Sequence, residues 1–455
     1  MDQITIKSRE ERFLQPIHKQ PKSESKLSPR EVQFLRPILR TGKAFYVVIP
    51  ALIVLVLWVL YAWYTQLTQG LSVTGLRTPV GAIWGLYITN FVFFVAISAA
   101  GIAIASGIRL FKLKDYIALA RMAELATIFS LMMAGMSIVM SIGRPDRLFN
   151  LILNFPARLP SSPLIWDVMA VFVYLVFAIT YLYIEMREDM ARLVGKVKWG
   201  WLYKLLLPGY RIGERHRIEK IVFWASIFNF PIMFMMHTTV GWIFGLQVGR
   251  PGWYSTIFGP YFVLGAILTG MSVVVILAAI YRKAFQWEEF IRPVVFKGLS
   301  KFLMWMSILY LYFILSEFMT VTFAGPSGEQ AVWESLTGGE FAPLFWLQNG
   351  ALVIAFLLFF VNTVFKKAFR IGTTVIASCL VVFALWIVRF LIVVPSLLRP
   401  FLPFPTGSYN PSWVEWSLVG GVFAIEILLF MVFTKVFPIM PVTELMAEEE
   451  EGNHA

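Results

Sequence analysis

The chain of 455 residues is 58% hydrophobic and 15% charged, with a mean hydropathy of +0.72, which excludes an ordinary soluble globular domain. Its net charge of +12 does not make it a nucleic-acid binder, because no basic stripe interleaves with aromatics on a polar fold; the charges read as anchors facing anionic lipid. The single cysteine, Cys379, excludes an internal disulfide and an iron–sulfur cluster held by this chain alone.

In chain order, residues 1–42 form a polar arm without a signal-peptide pattern. A transmembrane domain over 43–440 follows. It contains ten apolar stretches, each long enough to cross a hydrocarbon core of about 30 Å. They are predicted at 43–67, 81–111, 116–143, 163–186, 221–246, 257–281, 299–324, 342–365, 371–398 and 413–440. Residues 441–455 form an acidic tail ending in Glu448 to Glu451. The expected class is therefore an all-α membrane protein.

Ten spans put both termini on one side. That side carries 31 Lys/Arg against 6 in the opposite loops (Arg77, Arg144, Arg147, Arg158, Arg250 and Arg399). The bias predicts cytoplasmic termini. The composition carries no Walker motif, dinucleotide fingerprint or zinc-ligand spacing.

An ionisable group at mid-bilayer costs about 2.5–3.5 kcal/mol on insertion scales, so each one calls for a reason. His237 is the lone histidine within an apolar stretch; His18, His216 and His454 fall in polar segments. One such imidazole argues against a haem held by two axial histidines and for a mobile redox carrier. Asp167 opens the fourth span, while Tyr87 and Asn90 sit two to three turns into the second. Glu317, Arg389 and Glu415 lie in the same half of the membrane. Together, Tyr87, Asn90, Asp167 and His237 supply donors, acceptors and two proton-exchanging groups at similar depth, which suits a quinone ring. In this reading His237 and Asp167 exchange protons, Tyr87 and Asn90 position the ring, and Pro231 opens room beside Asn229. Each of these residues also reads singly as a satisfied contact between helices.

Nearer the terminal side, Arg121 and Glu124 share a helix face three residues apart, with Glu426 closer to the middle of the tenth span. The set reads equally as an internal ion pair or as the mouth of a proton path. In the 143–163 loop, Arg144, Asp146, Arg147 and Arg158 read either as helix-end caps or as a docking surface for a partner.

Several stretches share an order along the chain. They are Trp84-Gly-Leu-Tyr-Ile-Thr-Asn-Phe, Gly143-Arg-Pro-Asp-Arg147, Ser162-Pro-Leu-Ile-Trp-Asp167 and His237-Thr-Thr-Val-Gly-Trp. Further on come Pro260-Tyr-Phe-Val-Leu-Gly-Ala266, Ser316-Glu-Phe318 and Tyr409-Asn-Pro-Ser-Trp-Val-Glu-Trp416. Over roughly 43 to 440 the chain resembles the NrfD/PsrC family of polysulfide-reductase-type membrane subunits, in its ten-span branch with the hydrogenase-2 type subunit. The resemblance implies two four-helix bundles, spans two to five and six to nine, flanked by spans one and ten. It also implies a subunit without haem or iron–sulfur cluster, using a quinone of menaquinone or ubiquinone type. Its implied partners are an extracytoplasmic iron–sulfur subunit and a catalytic subunit. One departure is that some members place a histidine in the second span where this chain reads Ile97-Ser-Ala-Ala100.

The expected function is thus a quinone-reactive membrane anchor of a respiratory oxidoreductase in a prokaryotic cytoplasmic membrane, with proton translocation as an associated expectation. It is not a complete enzyme alone. A secondary transporter using buried charges is the rival, and a purely structural anchor the third reading.

Overall fold

The computed structural model describes residues 27–76, 81–210, 215–399 and 407–447. Ten helices there are long and apolar enough to cross a membrane. They run Lys43–Gln69, Leu86–Leu110, Ile117–Ser141, Pro163–Leu193, Arg215–Gly245, Phe258–Ala284, Pro293–Ala324, Ala342–Val364, Ile371–Leu398 and Trp413–Val436. Among the described residues no strand occurs. Arg77, His18, His454 and the run Glu448 to Glu451 lie outside the described residues.

Helix packing sorts these spans into the two expected bundles. The second span packs on the third and fifth, and the fourth closes the ring against both. Spans six to nine form a second ring, joined to the first where the sixth and ninth lie on the second. The tenth span leans on the third, and the first leans on the tenth. The second span is thereby central, and its most apolar stretch is wholly buried, whereas the first span shows most of its surface outward. That difference explains why Tyr46, Val54, Leu57 and Tyr64 can be exposed without penalty in a lipid-facing helix.

Several helices outrun their apolar cores. The fourth continues to Leu193 rather than ending near 186, and the fifth begins at Arg215 rather than 221. Thirty-one residues of helix reach about 46 Å, beyond a hydrocarbon core of about 30 Å. The surplus turns carry charge, and hydropathy alone does not see them. A further helix, Ser327–Thr337, occupies what reads as a loop; Val332, Ser335 and Leu336 are its buried residues, and Ser327, Gln330 and Glu334 are exposed.

The first and last described segments meet on one face, called here the terminal face. Within the N-terminal arm, Ser28 caps Pro29–Phe34 in a reciprocal box with Glu31. Lys435, at the end of the tenth span, donates to the carbonyls of Pro37 and Arg40 at 2.6 and 2.7 Å. On the opposite face, Tyr409 donates to Glu415 and accepts from the Leu86 amide at 2.9 Å. Glu415 also accepts from the Gly75 amide at 2.7 Å. The Tyr409–Glu415 motif therefore seats the start of the central helix. Gly85 lies against the Tyr409 hydroxyl, where a Cβ would collide with it.

Candidate quinone cavity and polar cluster of the first bundle

A cavity of about 490 Å³ opens in the first bundle at the face opposite the termini. Trp84, just before span two, lines it with Ile88 and Phe91 of that span, Ile138 and Ser141 of span three, Asp167 of span four, Phe244 of span five and Gln247 just after it. Arg250 and Trp253 close it from the loop beyond. Trp84 stacks on Trp253 with centroids 5.9 Å apart, and Phe244 meets Trp253 edge-on at 5.0 Å. Trp253 is pinned by its indole N–H to the Ile392 carbonyl at 2.6 Å, so the aromatic wall is rigid. Asp167 is 8% exposed, and its Oδ1 has no hydrogen-bond partner. A buried carboxylate oxygen without a donor is costly, and a mostly apolar pocket with one convergent polar group is the usual form of a small-molecule site.

The four residues expected to share a site are divided by the structure. Asp167 lines the cavity; Tyr87, Asn90 and His237 do not. Tyr87 donates to Gln66 of the first span at 2.5 Å, and Gln66 donates on to the Met140 carbonyl at 2.7 Å. Asn90 accepts from the Trp386 indole at 3.0 Å and its amide reaches the Val419 carbonyl at 3.5 Å. The cause is helical phase for Asn90 and a competing partner for Tyr87. On the second span the cavity residues are Ile88 and Phe91; Asn90 is turned about 100° from Phe91 and about 160° from Ile88, while Tyr87, about 40° from Phe91 and about 100° from Ile88, is drawn to Gln66 of the first span.

His237 is 2% exposed and bridges two carbonyls, Met233 at 2.8 Å through Nδ1 and Val95 at 2.9 Å through Nε2. A neutral imidazole carries one N–H, so it can donate to only one of these oxygens at a time. Tyr174 stands edge-on to the ring at 6.4 Å and reaches the Ser98 carbonyl at 3.4 Å. Pro231 lies inside an unbroken helix, and Asn229 donates to Ser106 at 3.2 Å.

At the terminal face of the same bundle, Arg121 does not form the expected pair with Glu124. It turns to the extra turns of the fourth span, meeting Asp189 at 2.7 Å and Glu185 at 3.8 Å. Glu124 instead faces Arg109 at 3.5 Å, and Arg109 also meets Glu185 at 2.8 Å, Glu444 at 3.3 Å and the Tyr181 hydroxyl. Arg109, which reads in sequence as a surface anchor, is 14% exposed in its side chain. The segment after the tenth span straps this cluster. Asp189 accepts from the Val442 and Thr443 amides and the Thr443 hydroxyl, and Arg121 donates to the Pro438 and Met440 carbonyls. The start of the acidic tail is thus part of the packed protein; Met440 and Val442 are fully buried.

Glu426 stands apart from this cluster, accepting from Ser130 at 2.7 Å. Ser130 is six residues beyond Glu124, about 9 Å along the third span and about 120° around it. The outer loop carries a bidentate Arg144–Asp146 pair at 3.1 and 2.8 Å, in which Arg144 holds the Asp146 carboxyl below its ordinary range. Arg147 and Arg158 are exposed beside it, as are Phe149, Ile152 and Leu153.

Sequence reasoning missed Phe244, Gln247 and Trp253 in the cavity and Arg109, Glu185 and Asp189 in the cluster. The signal for the last two was an acidic pair four residues apart just past an apolar run, i and i+4 on one helix face.

Residues 72–400 match the model of the family described as polysulphide reductase, NrfD. The chain belongs to the NrfD family. It is 27% identical over 429 residues to the membrane C subunit of a putative dimethyl sulfoxide reductase from Halobacterium salinarum, covering 89% of this chain and 94% of that one. It is 23% identical over 398 residues to the C subunit of selenate reductase from Mesobacillus selenatarsenatis, covering 83% and 90%. An Hdr-like menaquinol oxidoreductase integral membrane subunit of Archaeoglobus fulgidus is 22% identical over 396 residues, covering 84% and 90%. This NrfD-family chain is accordingly an integral membrane subunit of the respiratory oxidoreductase type.

Proposed function

We propose that the chain is the quinone-reactive anchor of a multisubunit reductase or quinol oxidoreductase. It would exchange electrons between the membrane pool and an iron–sulfur subunit docked on the face opposite the termini, with the termini in the cytoplasm. The observation that carries this reading is the orphaned Asp167 carboxylate oxygen inside an aromatic-walled cavity of about 490 Å³. The residues fit a quinone headgroup: a flat ring against Trp84 and Phe244, with Gln247 and Arg250 as donors near its oxygens. A quinone supplies two-electron, two-proton redox chemistry when bound.

Asp167 then acts as the group that takes or gives the proton at the cavity, through its free Oδ1. His237, Tyr87 and Asn90 act from outside the wall. His237 can shift its single N–H between the Val95 and Met233 carbonyls, and Tyr87 and Asn90 fix the orientation of the second span against spans one, nine and ten. The cluster of Arg109, Arg121, Glu124, Glu185, Asp189 and Glu444 sets four carboxylates against two guanidinium groups, an excess of negative charge that gathers protons on the terminal side. Glu124 and, on a separate helix face, Glu426 are the candidates for moving protons inward, and Arg121 holds the cluster together. The exposed loop with Arg144, Asp146, Arg147 and Arg158 adjoins the cavity rim at Ser161 and Ser162 and serves as the docking surface.

The likeness to subunits of three oxidoreductases supports this reading over a secondary transporter. The test is Asp167→Asn in the assembled complex. Quinol-linked electron transfer is expected to fall by about 10²-fold or more while the subunits still co-purify. Full turnover in that variant contradicts the assignment.

A further inference from the structure

The second bundle holds two ionisable side chains away from its terminal-side ends, a buried base, Arg389, and a half-buried acid, Glu317. Arg389 of the ninth span is 1% exposed, and none of its three guanidinium nitrogens has a hydrogen-bond partner. It lies over the Phe262 ring at 4.5 Å, in space that Gly265 leaves open: a Cβ there would stand 2.8 Å from its Nη2. Glu317 of the seventh span makes no direct ion pair with it among the described residues, yet both act electrostatically on Tyr261 and Tyr310. Those two rings stack at 4.7 Å, and the Tyr310 hydroxyl also lacks a partner.

A cavity of about 70 Å³ adjoins this group, lined among others by Tyr261, Glu317, Glu329, Gln348 and Ser396. Gln348 is 5% exposed and its Oε1 is unpartnered. Such a volume holds a small cluster of water molecules and not a quinone ring. The helix Ser327–Thr337 roofs it with Val332, Trp333 and Leu336, and brings Glu329 to its outer side. Partial burial raises the Glu329 carboxyl above its ordinary value.

An unpaired guanidinium in a bilayer interior is strongly disfavoured, and so are orphaned amide and phenol oxygens. Two carboxylates and one nearby cation leave little attraction for an anion, and the adjacent Arg389 opposes a metal ion. Water, which donates and accepts, satisfies the Gln348 acceptor and the Glu317 carboxyl, which both line the cavity. We propose that this cavity is a second, water-filled proton-exchange site, in which bound water links Glu317 to Gln348 beside Tyr261, Arg389 acts on the site through the Tyr261–Tyr310 pair, and Glu329 connects the water to the face opposite the termini. The site is separate from the cavity at Asp167 and stands whether or not a quinone binds there.

Infrared difference spectra of the intact membrane complex, recorded on exchange from H₂O to D₂O and on a pH jump, test this. A carboxyl signal that shifts on deuteration is expected, lost in Glu317→Gln and displaced in Arg389→Lys, with both variants eluting as assembled complex. A carboxyl region unchanged by Glu317→Gln, or a signal indifferent to Arg389→Lys, overturns the proposal. Should Arg389→Lys fail to assemble, Gln348→Leu decides: it removes the orphan acceptor and makes that wall of the cavity apolar, so deuteration of the Glu317 signal slows at least severalfold, and an unaltered rate refutes a water-filled site.

Discussion

In the bundle of spans two to five, Arg121 is saturated: Asp189, Glu185 and two backbone carbonyls surround it, and the chain end folds over the group. In the bundle of spans six to nine, Arg389 is equally buried and has an aromatic face and no acceptor. The cavity of about 490 Å³ also belongs to the first bundle, and the one of about 70 Å³ to the second. The same architecture is thus used twice, once around a charge network strapped by the tail and once around a buried charge without an acceptor. What separates them is the acid presented to the guanidinium: the fourth span brings Glu185 and Asp189 onto Arg121, whereas among the described residues no carboxylate pairs with Arg389.

Breaking that contrast gives graded outcomes. The largest belongs to Asp167→Asn, where electron transfer is lost by about two orders of magnitude with assembly intact. Next is Asp189→Ala. It strands a buried guanidinium and frees the strap, costing about 3–5 kcal/mol and lowering the melting temperature of the complex. Glu317→Gln in the second bundle removes no ion pair and should leave that temperature nearly unchanged, so equal losses in the two variants would erase the distinction drawn here. A smaller effect is expected at the cavity wall. Trp84→Ala removes the stacked face opposite Trp253 and should raise the KM for quinol about tenfold, with kcat little altered.

The smallest change is at the surface. Arg144→Ala breaks a solvent-exposed pair that adds little to the stability of the fold. It should still weaken subunit association in a salt-sensitive way, read by co-purification across ionic strength. Since Arg144 depresses the Asp146 carboxyl, the pair's contribution is present above the ordinary aspartate range and lost only as pH falls through the lowered value. Partner release is therefore expected to be flat from neutral to mildly acidic pH.

Span number was legible in the sequence, because apolar length acts on whole helices; bundle order and the flanking of spans one and ten were implied by the resemblance to the family. The site was legible only in part. Asp167 could be read from its depth at the start of a span, but depth does not give phase: Tyr87 and Asn90 share the level of the cavity and do not line it. His237 attracts notice as a lone imidazole, yet its partners are backbone carbonyls, which carry no sequence signal. Arg121 and Glu124 satisfy the i, i+3 rule, but that rule ranks only neighbours on one helix. Asp189 and Glu185, arriving from the fourth span, win the guanidinium because the bundle brings them closer.

Photolabelling of the assembled complex with an azidoquinone, mapped by peptide mass spectrometry, tests the central claim most directly. Adducts confined to the cavity wall, on the segments holding Trp84, Phe244 and Trp253 and suppressed by Asp167→Asn, are the predicted result. Labelling centred on Tyr87 and the first span, or within spans six to nine, would contradict it.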